Sequence, residues 1–269
     1  MTVDTNAWLG LWPFAPFAQD TPGKLSGYLK SAGISSALVS PADAVLCREP
    51  YTCNSRLINK LRGSRILSPI VVVNPLLADW KEKLREYSLL PAVKGVKILP
   101  NYHGYSLLSG NMPLFMEEVR KSGLLLMLQV RIEDSRMQMP SMQVPPVEAA
   151  EIIKFAREYP QNRIICLCAS KREADGFLRS TRNLFVDISN MEGINCIPGL
   201  LAEHQADRVL FGSHAPFFCA ASAEMKMLYK DISAEDRKKI CSANISLLAG
   251  GREIYLPAKK KFDAREKAG

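Results

Sequence analysis

The side chains best able to do chemistry in this sequence sit just after short apolar runs. Cys168 follows Ile164-Ile-Cys-Leu167, and His214 follows Val209-Leu-Phe-Gly-Ser213. A thiol and an imidazole that meet form an activated nucleophile, because the base lowers the cost of making a thiolate. Apart they are a small buried hydrophobe and a hydrogen-bonded structural histidine. Lys97, inside Gly95-Val-Lys-Ile-Leu99, is a basic residue in an apolar run. A buried amine there can act as a base, form a Schiff base or anchor an anion, or it can simply pair with Glu133 or Asp187. Arg131 follows Leu124 to Val130. It can hold a carboxylate through two parallel bonds, or pair with nearby Glu133. His214, Cys168 and Lys97 are therefore the candidate catalytic residues. Asn6, Trp8, His103, Gln129 and Arg131 are the candidates for holding a substrate.

These residues need elements to carry them. The apolar runs Ile34–Val39, Ile66–Val73, Gly95–Leu99, Leu124–Val130, Arg163–Cys168, Asn183–Ile188 and Val209–Phe211 read as strands, with a further strand at the N-terminus leading to Asn6. Ile70-Val-Val-Val73 is the β-branched run of a strand buried on both faces. Amphipathic stretches such as Lys24–Ala32, Met112–Lys121, Val147–Tyr159 and Lys171–Arg179 alternate with them. Alternation of this kind implies parallel strands with right-handed crossovers. Eight such units in 269 residues favour an α/β fold of the closed (β/α)₈ kind, a TIM barrel with room for local distortion. No Gly-x-Gly-x-x-Gly follows any strand, which argues against a dinucleotide fold. Working residues of such a barrel lie at the C-terminal ends of its strands, where the candidates fall. Residues 1–256 are expected to form the one barrel domain and 257–269 a basic tail.

Composition narrows the class. Lys and Arg outnumber Asp and Glu by 35 to 27. Lys259, Lys260, Lys261, Arg265 and Lys267 concentrate part of that excess in the tail, without the interleaved aromatics of a nucleic-acid binder. Neither nucleic acid nor a membrane surface is an expected partner; a small anionic molecule is, and homo-oligomers are left open. Seven cysteines, an odd number without paired Cys-x-x-Cys motifs, suit reduced thiols in a cytoplasmic setting. The loop Arg131 to Pro146 is long and rich in Met and Pro, a length associated with function.

The order of these motifs resembles the amidohydrolase superfamily, in its amidohydrolase-related, metal-dependent hydrolase branch. The carrying residues are Asp4-Thr-Asn-Ala-Trp-Leu-Gly10 at the first strand, Leu210-Phe-Gly-Ser-His-Ala-Pro216 at the last, and Asn244-Ile-Ser-Leu-Leu248 near the end. The resemblance implies a TIM barrel with a metal site at its mouth. Every ligand position departs from the family pattern. Asn6 and Trp8 stand where two histidines belong, Gln129 and Cys168 where two more belong, and His214 replaces the aspartate. A catalytic zinc site needs about three His, carboxylate or thiolate ligands, and the chain has only His103, His204 and His214 as histidines. No metal and no other cofactor is expected. Family members hydrolyse lactones or decarboxylate aromatic acids. The resemblance thus implies a metal-independent hydrolase or lyase for a small carboxylated or carbonyl compound, or else a non-catalytic barrel that binds a ligand or partner.

Overall fold

The computed structural model describes residues 1–250; the basic tail and the last residues assigned to the barrel lie outside that range. In chain order the elements are β1 Val3–Leu9, α1 Pro22–Ser31, β2 Ser36–Pro41, α2 Tyr51–Lys60, β3 Leu67–Val72, α3 Trp80–Ser88, β4 Gly95–Ile98, α4 Pro100–His103, α5 Met112–Ser122, β5 Leu125–Gln129, α6 Ala149–Glu158, β6 Ile164–Leu167, α7 Lys171–Ser180, β7 Leu184–Asp187, α8 Cys196–Leu201, β8 Val209–Leu210, α9 Ala220–Lys226, α10 Ala234–Lys238 and α11 Asn244–Leu248. The eight strands are parallel and run in the order β1 to β8. Beyond β8 the sheet closes on β1: the Thr5 amide donates to the Phe211 carbonyl at 2.9 Å and the Trp8 amide to the Ala215 carbonyl at 2.8 Å. The expected barrel is therefore present. No helix among the described residues is long and apolar enough to cross a membrane.

Packing divides the molecule into three apolar layers. The largest lies between strands and helices, with Val96, Leu126, Leu128, Cys166 and Val186 on the sheet side. The barrel interior holds Val3, Leu38, Ile70, Leu125, Met127, Ile165, Leu167 and Leu210, with Ile245 and Ala249 from the closing helix region packed against it. Strand alternation sends odd and even residues to opposite faces, so Lys97, flanked by the outward Val96 and Ile98, points inward. The third layer is aromatic and caps the far end: Trp8, Trp12, Val72, Leu99 and Ile132, with Phe17 and Phe217 against them.

β1 breaks its own alternation. Val3 belongs to the interior, whereas Ala7 and Leu9 belong to the outer layer. The pairing of β1 with β2 shifts between Asp4 and Ala7. An extra residue of this kind re-aims side chains and is common beside functional sites. Here it turns Asn6 and Trp8 into the barrel.

Local chemistry fixes several boundaries. Thr21 caps α1, with Pro22 supplying a fixed φ in the first turn. α7 opens on a capping box, in which the Ser170 hydroxyl accepts from the Glu173 amide and Glu173 accepts from the Ser170 amide at 2.7 Å. Pro100–His103 forms a helical turn ended by Gly104 at φ 70°.

Candidate functional site

The C-terminal ends of the strands bring most of the sequence candidates together in a buried polar layer. Asn6, Lys97, Asp187 and His214 are all fully buried there, with Asp4 and Cys168. The Lys97 amine donates to Asn6 Oδ1 at 3.2 Å and lies 3.8 Å above the centroid of the Trp8 ring. An amine can only donate to that oxygen, so it fixes which way the Asn6 amide faces. Asn6 Nδ2 then donates to Asp187 Oδ2 at 2.9 Å and to His214 Nδ1 at 3.1 Å. Trp8 Nε1 donates to the same His214 nitrogen at 3.1 Å. On the other side, His214 Nε2 lies 2.7 Å from the Ile132 carbonyl. A carbonyl has no proton to give, so Nε2 carries it and Nδ1 is the acceptor. His214 is a neutral imidazole with both nitrogens engaged.

Burial explains the electrostatics of this layer. It pulls the Lys97 amine down to about 7, against the carboxylates of Asp187 and Asp4, which favour its charge. Burial likewise brings His214 down to about 3, opposed by its bond to Ile132. Asp4 is raised by burial to about 6, although the Ser213 hydroxyl, the Ser213 amide and the Asn6 amide all donate to it. Asp187 is raised by burial too, while the Cys168 amide donates to its Oδ1 at 2.7 Å. Every charge-bearing group in the layer is thus pushed toward its neutral form.

Two strand ends are held in left-handed backbone: Cys168 at φ 61° and His214 at φ 57°. For residues with a side chain such a conformation costs ~1–3 kcal/mol and persists only when the surroundings enforce it. At Cys168 the enforcement is visible. Its amide is held by Asp187, and its carbonyl accepts from Arg131 Nη1 at 2.7 Å.

The catalytic pairing expected from sequence does not form. Among the described residues no hydrogen bond joins Cys168 to His214, and burial beside Asp187 pushes the thiol well above its ordinary range, away from thiolate. His214 has no free lone pair for proton abstraction. Arg131 does not face the mouth as a free fork. It pairs with Glu173, the capping residue of α7, rather than with Glu133. Glu133 instead accepts from Trp12 Nε1 at 3.1 Å. Lys97 forms an ion pair with neither Glu133 nor Asp187. Gln129 donates to the Arg131 carbonyl at 2.7 Å. His103 turns away, with Nε2 3.1 Å from the Ala44 carbonyl. Asn6, Trp8, Lys97 and His214 are the candidates whose side chains meet one another, whereas Gln129, Arg131 and Cys168 are linked through main-chain carbonyls.

Above the polar layer lies an aromatic plug centred on Phe217, a residue that sequence reasoning missed. Phe217 stacks on His214 with centroids 5.1 Å apart, and meets Trp8, Trp12 and Phe17 edge-on at 5.8, 4.9 and 4.9 Å. The run Pro216-Phe-Phe218 immediately after His214 was the available signal. Over it folds the Met-rich loop. The space left between them, lined by Trp12, Phe14, Tyr102, Glu133, Met139 and Met142 among others, is about 10 Å³, the room one water molecule needs.

No family model and no curated protein matches the sequence. Solved structures do. A 2,6-dihydroxybenzoate decarboxylase complexed with 2,6-dihydroxybenzoate superposes with a TM-score of 0.72 at 16% identity, covering 93% of this chain and 99% of that one. A 5-carboxyvanillate decarboxylase from Novosphingobium aromaticivorans, complexed with manganese and 4-hydroxy-3-methoxy-5-nitrobenzoic acid, gives 0.74 at 13% identity over 93% and 96%. A protein described as amidohydrolase II gives 0.66 at 14% identity over 93% and 100%. This chain has their fold. The resemblance read from Asp4–Gly10 and Leu210–Pro216 is borne out at that level.

The manganese of such a neighbour provides a test of this chain's own residues, and they do not fit a metal. His214 Nδ1 is occupied by two N–H donors, Asn6 Oδ1 by the Lys97 amine, and an indole N–H is no ligand. A cation would also meet the amine of Lys97 within the same layer. Among the described residues, the group of three potential ligand side chains that does converge lies elsewhere, at Asp175, Glu203 and His204. There Arg179 already bridges Asp175 and Glu203 at 3.1 and 2.7 Å.

Proposed function

We propose that this chain is a metal-independent, amidohydrolase-like barrel whose polar layer has become structural, and that it works as a ligand- or partner-binding protein. The observation that carries this reading is His214. A residue at the end of the last strand is the natural acid or base of such a barrel. Here both ring nitrogens are committed, one to Trp8 and Asn6 and the other to Ile132. The plug supports the same reading, since Phe217 stacks directly on His214 and Trp8 meets both rings edge-on.

A second reading has its own support. Decarboxylases with this fold were crystallised with aromatic acids, and Lys97 supplies a buried amine. In that reading the chain is a metal-independent lyase for a small aromatic carboxylate, which would enter once Phe217 had moved. Incubation with 2,6-dihydroxybenzoate and related acids, with and without manganese, separates the two by release of carbon dioxide. The binding reading expects none under either condition, and no change in melting temperature on adding manganese. Turnover that disappears in Lys97→Met would establish the second reading instead.

A further inference from the structure

At the rim of the mouth, the loop after β2 and the start of α2 place two thiols in contact. Cys53, in the first turn of α2, is buried, and its Sγ lies 3.6 Å from that of Cys47, which is partly exposed. Both pack in the aromatic layer with Trp8 and Trp12. Arg56 Nη2 lies 3.5 Å from the Cys53 sulfur and pairs with Asp43 at 3.2 Å. This is the one pair of cysteine sulfurs in contact among the described residues. Cys219 is exposed but stands alone. A disulfide needs its sulfurs at ~2.05 Å, so closing this bridge asks for a movement of only ~1.5 Å.

We propose that Cys47 and Cys53 form a reversible oxidation site, a dithiol that low-molecular-weight disulfides convert to an internal bridge. The steps follow from the two exposures. The accessible Cys47, as thiolate, attacks one sulfur of an oxidant such as glutathione disulfide and expels one glutathione thiolate. Cys53, next to the mixed disulfide so formed, gives up its proton and displaces the second glutathione. Two electrons pass from the cysteine pair to the oxidant, which leaves as two thiols, and the Cys47–Cys53 bond remains. Burial and the nearby Asp43 carboxylate hold the Cys53 thiol up at about 12, which suits the resolving thiol, shielded until the mixed disulfide forms beside it. The bridge ties the loop carrying Asp43 to α2, directly against the layer that closes the mouth.

The test is a titration of the full chain with glutathione disulfide, followed by thiol counting in denaturant and peptide mapping without reduction. The chain contains seven cysteines. Oxidation is expected to remove two thiols through a peptide linking Cys47 to Cys53, with both restored by dithiothreitol. Cys53→Ser should instead accumulate a glutathione adduct at Cys47, and Cys47→Ser should protect Cys53 from modification altogether. Cys219→Ser should leave the bridge unchanged. The proposal is overturned if Cys47 and Cys53 both stay alkylatable after oxidation. It is equally overturned if wild type carries as much glutathione on Cys47 as Cys53→Ser does.

Discussion

The amine of Lys97 lies 3.2 Å from the side-chain oxygen of Asn6, and this one bond orders the mouth of the barrel. It decides that Asn6 turns its NH₂ toward Asp187 and His214, which in turn decides that His214 presents a bare Nδ1. An amine and an amide of the chain occupy the region where the resemblance places histidines. Such a network is favourable only when every member is satisfied.

Lys97→Met should therefore destabilise the protein by ~1–3 kcal/mol, the cost of leaving a buried acceptor unpaired. Adding Asn6→Leu to Lys97→Met would remove the orphaned group together with its partner. Urea denaturation should show the double variant more stable than the sum of the two single effects. Additive effects would mean that the two residues act separately.

The same lysine predicts a pH dependence. Its folded value of about 7 lies below its ordinary 10.5, so between those values the unfolded chain binds more protons than the folded one. Stability should rise with pH in that window. Asp187, raised by burial, opposes this rise, and the buried thiols of Cys166 and Cys168, raised from 9.0, do so above pH 9.0. Between pH 7 and 9 the rise should be ~2 kcal/mol. Lys97→Met should flatten it when melting curves are compared across that range, and an unchanged slope in the variant would contradict the assignment.

Gly212 tests how tightly the last strand is fitted. A Cβ there would fall 2.4 Å from Asp187 Oδ2 and 2.9 Å from Asp187 Cβ. Gly212→Ala should cost ~1–3 kcal/mol by overpacking. Its effect should shrink in an Asp187→Ala background, where the 2.4 Å clash with the carboxylate is gone and only the 2.9 Å approach to Cβ remains.

Arg131→Met separates structure from ligand binding. Arg131 holds the Cys168 carbonyl and Glu173, and breaking a largely buried pair costs ~3 kcal/mol. The expected outcome is a lower melting temperature with no loss of organic-acid binding by thermal shift. Loss of acid binding at unchanged stability would restore the anion-gripping role that its position suggested.

The barrel was legible in the sequence because parallel strands buried on both faces write continuous apolar runs, as at Ile70–Val73 and Leu124–Val130. The convergence of Asn6, Lys97 and His214 was legible for the same reason, since each sits at a strand end. What each side chain does there was not. Arg131 pairs with Glu173 across 42 residues rather than with Glu133 beside it. The phase of β1 depends on an irregularity at Asp4–Ala7 that no period-two pattern announces. The Phe217 plug comes from a loop whose aromatic rings could as easily have packed outward. Long-range pairing, bulges and loop packing are set by tertiary contacts, and local pattern does not encode them.

The most direct test of the account is metal content. Protein expressed in manganese- and zinc-supplemented medium, dialysed and analysed by inductively coupled plasma mass spectrometry, should carry manganese, zinc and iron far below one equivalent per chain. Its melting temperature should be indifferent to a chelator. About one equivalent of any of these metals per chain, with a chelator-sensitive melting temperature that Asn6→Ala or His214→Ala abolishes, would contradict the claim that Lys97 and its partners have taken over the mouth.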